Sequence, residues 1–162
     1  MEEATAVARV LRLQHRYQPE GPIANDPPSW HPAFMDLPDP IQAAFDAHPA
    51  PVRARLLDLR ARILDIGAAL PIGPIEESLK WGQPSYATPQ TKAATPIRLG
   101  ATKDGTPAIF THCQSGVIGQ VRAISPPGVT FDGTRALHLP LDSPPPDDII
   151  DALIRTALTY RL

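Results

Sequence analysis

Five histidines, His15, His31, His48, His112 and His138, are the first residues to test for chemistry. None belongs to an HExxH pattern, a helical i, i+4 pair or a triad with a carboxylate, so they specify no metal site. His112 and Cys113 are neighbours in a stretch that reads as a strand, where successive side chains point to opposite faces. They cannot chelate together; Cys113 reads as a small buried group and His112 as a half-exposed one. A pairing of His112 with His138 across neighbouring strands is the geometry left open. Ser115, in Gln114-Ser115-Gly116, lacks the GxSxG frame of a nucleophile elbow and reads as a turn residue. Gly116 and Gly119 form a lone GxxG without the Lys-Ser/Thr that completes a phosphate loop. No catalytic constellation emerges, and no enzyme or cofactor is expected.

The most distinctive segment is Glu76-Glu77-Ser78-Leu79-Lys80-Trp81-Gly82-Gln83-Pro84-Ser85-Tyr86. Gly82 and Pro84 fix a bend between two extended arms, and Trp81 and Tyr86 set large amphipathic rings on either side. Such a bend lines a pocket with Lys80 and Gln83 at its rim, so Lys80, Trp81, Gln83 and Tyr86 are the candidate ligand-binding residues. The competing role is a rigid corner whose aromatics finish the core. On that reading Trp81→Ala costs about 3–5 kcal/mol.

The elements that must position this bend follow from periodicity. Val52, Leu56, Leu59, Ile63 and Ile66 step by four and three residues, predicting a helix over 51–69 with Arg53, Arg60 and Arg62 largely on the other side. Gly67, Pro71, Gly73 and Pro74 end it. Extended segments follow at 77–81, 95–102, 107–112, 117–124, 129–131 and 135–139. Lys103-Asp104-Gly105 and Asp132-Gly133 are turn formers among them. Strands this close together must pair antiparallel, because parallel strands need long crossovers. A closing helix buries Ile150, Leu153, Ile154, Ala157 and Leu158, with Ser143 as its cap and Asp147 and Asp148 opposing its dipole. The implied fold is α+β, two helices packed on one antiparallel sheet. Residues 1–40 form a separate arm: a helix over about 3–17, then seven prolines between Pro19 and Pro40 that forbid a continuous helix or a central strand, interspersed with Trp30, Phe34, Met35 and Leu37. Those large apolar groups predict an ordered strap lying on the 41–162 domain or on a second chain, the latter making a homodimer.

Composition excludes several classes. The 162 residues include 21 Pro and 10 Gly, high for a globular chain but short of a low-complexity one. A formal net charge of −2 gives no electrostatic reason to bind nucleic acid or an anionic membrane. No apolar run reaches the ~20 residues of a membrane span, and the acidic start is unlike a signal peptide. A single cysteine allows no internal disulfide. These features predict a cytoplasmic protein without membrane or nucleic-acid partners.

Pro51-Val52-Arg53 with Leu56, Leu59, Arg60 and Ile63, followed by EESLKWGQPSY and a short-strand region ending in a helix, resembles the YdhG-like family, domain of unknown function 1801. The resemblance spans roughly 41–160, and its KWGxPSY stretch is the more specific part. It implies a small α+β domain similar to frataxin, and it carries no catalytic residues. Because some members are described as frataxin-like iron chaperones, it also implies iron delivery as one function. The residues argue against that here. The helix at 51–69 has four arginines against two aspartates, and hard cations need carboxylate oxygens at contact distance. The expectation is therefore a small non-enzymatic binding protein, a carrier of a small ligand or of a metal ion in the iron-chaperone manner, without a tight iron site. The alternative is a protein-interaction or dimerisation module; an enzyme assembled from distant residues ranks last.

Overall fold

The computed structural model describes residues 37–162. The helix expected at 3–17 and the strap up to residue 36 lie outside the described residues. Leu37 is half-buried against the core, and helix α1 (Asp39–Asp46) begins two residues later. The prolines here do not forbid a helix. Pro40 sits in the first turn, where its missing N–H costs nothing, and Asp39 favours the positive end of the dipole. Ile41 and Phe45, one turn apart, bury its inner side.

Helix α2 (Ala50–Ala68) carries the expected face: Val52, Leu56, Leu59, Ile63 and Ile66 are all buried. Gly67 lies inside its last turn and does not end it. A side chain there would collide with Ile75, so glycine lets the following chain pack close. Arg60 departs from the expected outer face and is buried, because it flanks the apolar stripe where β1 approaches.

Six antiparallel strands follow: β1 (Glu76–Lys80), β2 (Gln83–Ala87), β3 (Ile97–Ala101), β4 (Pro107–Phe110), β5 (Phe131–Asp132) and β6 (Ala136–His138). Their spatial order is β1-β2-β3-β4-β6-β5. The bend at 81–84 is a two-residue hairpin turn in which Trp81 and Gly82 have φ of 55° and 73°, the two left-handed positions of a type I′ turn. Pro84 lies in β2 rather than in the turn, opposite Leu79. It has no N–H for β3, and β2 pairs with β3 only at Ser85–Arg98 and Tyr86–Ile97. The turns at Lys103–Gly105 and Asp132–Gly133 form as expected; Gly105 N–H donates to Thr102 and Arg135 N–H to Asp132.

The segment 117–124 is a helix, α3 (Val117–Ile124), and not the expected strand. Its valines and isoleucines suit a strand, but Val117, Ile118 and Val121 are buried while Gly119 and Gln120 are exposed, which is a helical spacing. Helix α4 (Asp147–Leu158) buries all five expected residues. Ser143 does not cap it: the residue before the helix is Pro146, and the Ser143 hydroxyl faces Asp142. Arg62 of α2 reaches Asp147 and Asp151 at 3.2 and 3.5 Å, so opposite charges join the two long helices.

One face of the sheet, with Tyr86, Ile97, Leu99, Ile109 and Leu137, joins the helices in a single core. The opposite face carries Ser85, Arg98, Gly100, Ala108, Phe110, Ala136 and His138 in register. Ala108 and Ala136 are buried but stand outside that core, and among the described residues no helix belongs to this face.

Candidate functional site

The four residues expected to form a pocket are divided by the pleat. Tyr86 and Glu77 are cross-strand partners on the core side, whereas Lys80 and Gln83 pair on the other side. Tyr86 is fully buried. Trp81, at the turn, is 90% exposed, which overturns its role as a core corner. A left-handed turn position on a projecting hairpin gives its ring no neighbouring layer to enter. Trp81 and Tyr86 therefore do not line one pocket.

Beneath the hairpin is a polar cluster in the core. Arg60 Nε and Nη2 donate to Glu77 Oε2 and Oε1 at 2.7 and 2.6 Å, a forked pair with Arg60 4% exposed. Burial alone would lower the Arg60 pKa, but Glu77 outweighs it and the net shift is upward. The Tyr86 hydroxyl lies beside this pair; burial and then the Glu77 charge push its pKa far above the ordinary phenol range. The cluster is largely removed from solvent and anchors α2 to the hairpin.

The face turned away from the helices gathers polar and aromatic side chains around small, buried residues. Extending the β2–β3 register places Gln83 beside Gly100, which pairs with Ala108, which pairs with His138. The Gln83 amide lies flat over Gly100, where any side chain would displace it. Arg98 Nη1 donates to Gln83 Oε1 at 3.1 Å, and its guanidinium sits 5.7 Å from the Phe110 ring centre. Among the described residues no carboxylate pairs with Arg98. Partial burial, and secondarily the Arg135 guanidinium, lower its pKa, so this charge is held at some cost. His138 Nε2 is shielded from solvent and has no hydrogen-bond partner among the described residues. Gly100 and Ala108 thus lie between Gln83 and His138, with the directly paired Arg98 and Phe110 in the adjoining row.

The remaining reactive groups lie elsewhere. Thr95, His112, Ser115, Tyr160 and Arg161 line an open depression of about 320 Å3. The Ser115 hydroxyl donates to the His112 carbonyl at 2.7 Å, and His112 Nδ1 accepts from Gln114 N–H, so serine and imidazole form no dyad. Cys113 is exposed and not buried, because β4 ends at Phe110 and residues 112 and 113 lie in the loop beyond it. The same early end separates the histidines: His138 pairs with Ala108, not with the region of His112. Among the described residues, no three His, Cys, Asp or Glu side chains converge on a possible metal position.

Neither a protein-family model nor a curated protein matches the chain. Among solved structures, a Bacillus subtilis protein of the DUF1801 family, YdhG, superimposes with a TM-score of 0.50. The match covers 73% of this chain and 87% of that one at 16% identity. The fold is YdhG-like. The likeness is one of architecture, and at this identity it transfers no residue's role. Within this YdhG-like frame, Gln83 and Lys80 are the expected residues that border the face turned away from the helices. Arg98, Phe110 and His138 were missed by motif reading because they come from three different strands. The signal available was an arginine and a glycine two apart in a strand, Arg98 and Gly100, which marks a face where something packs close. No helix of the described residues is long and apolar enough to cross a membrane.

Proposed function

We propose that this chain is a non-enzymatic binding protein that seats a small organic anion, with an apolar or planar part, beside Arg98 on the sheet face turned away from the helices. The observation that carries the reading is Arg98: a half-buried guanidinium without a carboxylate partner among the described residues, bonded to Gln83 and set over Phe110. A carboxylate or phosphate would meet the Arg98 fork, for which guanidinium geometry is suited. The Gln83 amide and His138 Nε2 supply further polar contacts, with the small residues Gly100 and Ala108 between them. Lys80 and Trp81 lie at the lip of the hairpin; Tyr86 serves from behind, within the Arg60–Glu77 anchor.

Thermal shift and calorimetry with matched small carboxylates, their neutral amides and amine analogues test this reading. Carboxylates at about a hundredfold excess over their dissociation constant should add about 2.7 kcal/mol of stability. The gain should vanish in Arg98→Leu and be absent for amides. Equal response to all three classes would exclude an anion seat.

A further inference from the structure

The first strand of the sheet, β1, has no neighbour on its outer side among the described residues. Its turn closes on the Lys80–Gln83 pair, and antiparallel ladders alternate, so Glu76, Ser78 and Lys80 direct their backbone groups to β2. Glu77 and Leu79 direct theirs outward. Among the described residues, nothing bonds to those outward groups. The strand is five residues long and contains no proline. Leu79 is 38% exposed beside it. An edge of this kind is a template for another strand.

The sequence of β1, Glu-Glu-Ser-Leu-Lys, is complementary to itself. We infer that β1 pairs antiparallel with β1 of a second copy about a two-fold axis at Ser78, joining two sheets into one. Centred there, Glu76 lies opposite Lys80 of the second copy, and symmetry repeats the pair. Both side chains are exposed and lie on the sheet face away from the core, so they meet without disturbing Arg60 and Glu77. Glu77 and Leu79 exchange backbone bonds with Leu79 and Glu77 of the second copy, satisfying both outward positions. The next step sets the exposed Trp81 beside Ile75 of the second copy. A register centred on Glu77 would place two like charges face to face, which disfavours it. Lysine on an edge strand ordinarily blocks association. Here Glu76 cancels that protection in one register only. This dimer differs from one made by the 1–40 arm and does not depend on ligand.

Sedimentation of the full 162-residue chain over a wide concentration range tests the inference. The expected result is a monomer–dimer equilibrium that Glu76→Lys or Lys80→Glu alone weakens by about tenfold, since each replaces two attractive pairs by two repulsive ones. The combined exchange should restore the native dissociation constant. Both positions are exposed, so circular dichroism should be unchanged. As a second readout, Ser78→Cys in a Cys113→Ser background should give a disulfide-linked dimer with oxidised glutathione, because non-hydrogen-bonded pairs bring Cα atoms to about 4.5 Å. A monomer at every concentration, a dimer indifferent to both reversals, or an exchange that fails to restore association would overturn it.

Discussion

The Arg60 guanidinium grips both oxygens of Glu77 across seventeen residues of chain, tying the middle of the long helix to the first strand. The pair is largely removed from water, with side chains 4% and 15% exposed. Removing one partner leaves the other charge buried, which costs about 3–5 kcal/mol, while removing both costs much less than the sum. Urea denaturation of Arg60→Leu, Glu77→Leu and the double variant should therefore show strong positive coupling. Additive losses would mean that the two groups act independently.

Trp81 contributes little to stability. Trp81→Ala should change unfolding free energy by less than about 0.5 kcal/mol, as for other exposed positions. Trp81→Gly should be neutral to stabilising, because glycine relieves about 1–2 kcal/mol of left-handed backbone cost and loses roughly 0.5–1 kcal/mol to chain entropy. A large loss in Trp81→Ala by chemical denaturation would return the ring to the core.

Tyr86 governs stability in alkali. Its folded pKa is raised by burial and by Glu77, so the native state retains a proton that the unfolded state releases above about pH 10. Stability is fully present below that pH and falls as pH rises through the window toward the native value. Absorbance at 295 nm should show a tyrosine fraction that ionises only as the circular dichroism signal is lost. In Tyr86→Phe that fraction should be missing. Its ionisation in the folded protein would contradict the buried position.

Gly100→Ala separates the seat from the scaffold. The new methyl meets only the flexible end of Gln83, so the fold should survive with a loss on the order of 1 kcal/mol. Carboxylate binding should nevertheless weaken strongly, because the displaced amide no longer holds Arg98. Unchanged affinity in calorimetry would remove Gln83 and Gly100 from the seat.

The parts of this fold that were legible from sequence are those written in local periodicity. Val52 to Ile66 and Ile150 to Leu158 carry helical spacing strong enough to survive packing, and Lys103-Asp104-Gly105 puts glycine at the positive-φ position its turn uses. Helix α1 was hidden because prolines at 38 and 40 read as breakers, although Pro40 occupies a first turn where it is harmless. Helix α3 was hidden because β-branched residues prefer strands until tertiary packing overrides them. Of the candidate site, Lys80 and Gln83 were legible in a motif. Arg98, Phe110 and His138 become neighbours of Gln83 only once strand register is known, and no spacing along the chain encodes that register.

The most direct test of the anion seat is a two-dimensional NMR titration of labelled protein with a small aromatic carboxylate. The account predicts saturable shifts concentrated at the Gln83 side-chain amide, Arg98 Nε, Gly100 and the His138 ring, all abolished by Arg98→Leu. Shifts confined to Thr95, His112, Ser115 and Tyr160, or no saturable shift at all, would contradict it.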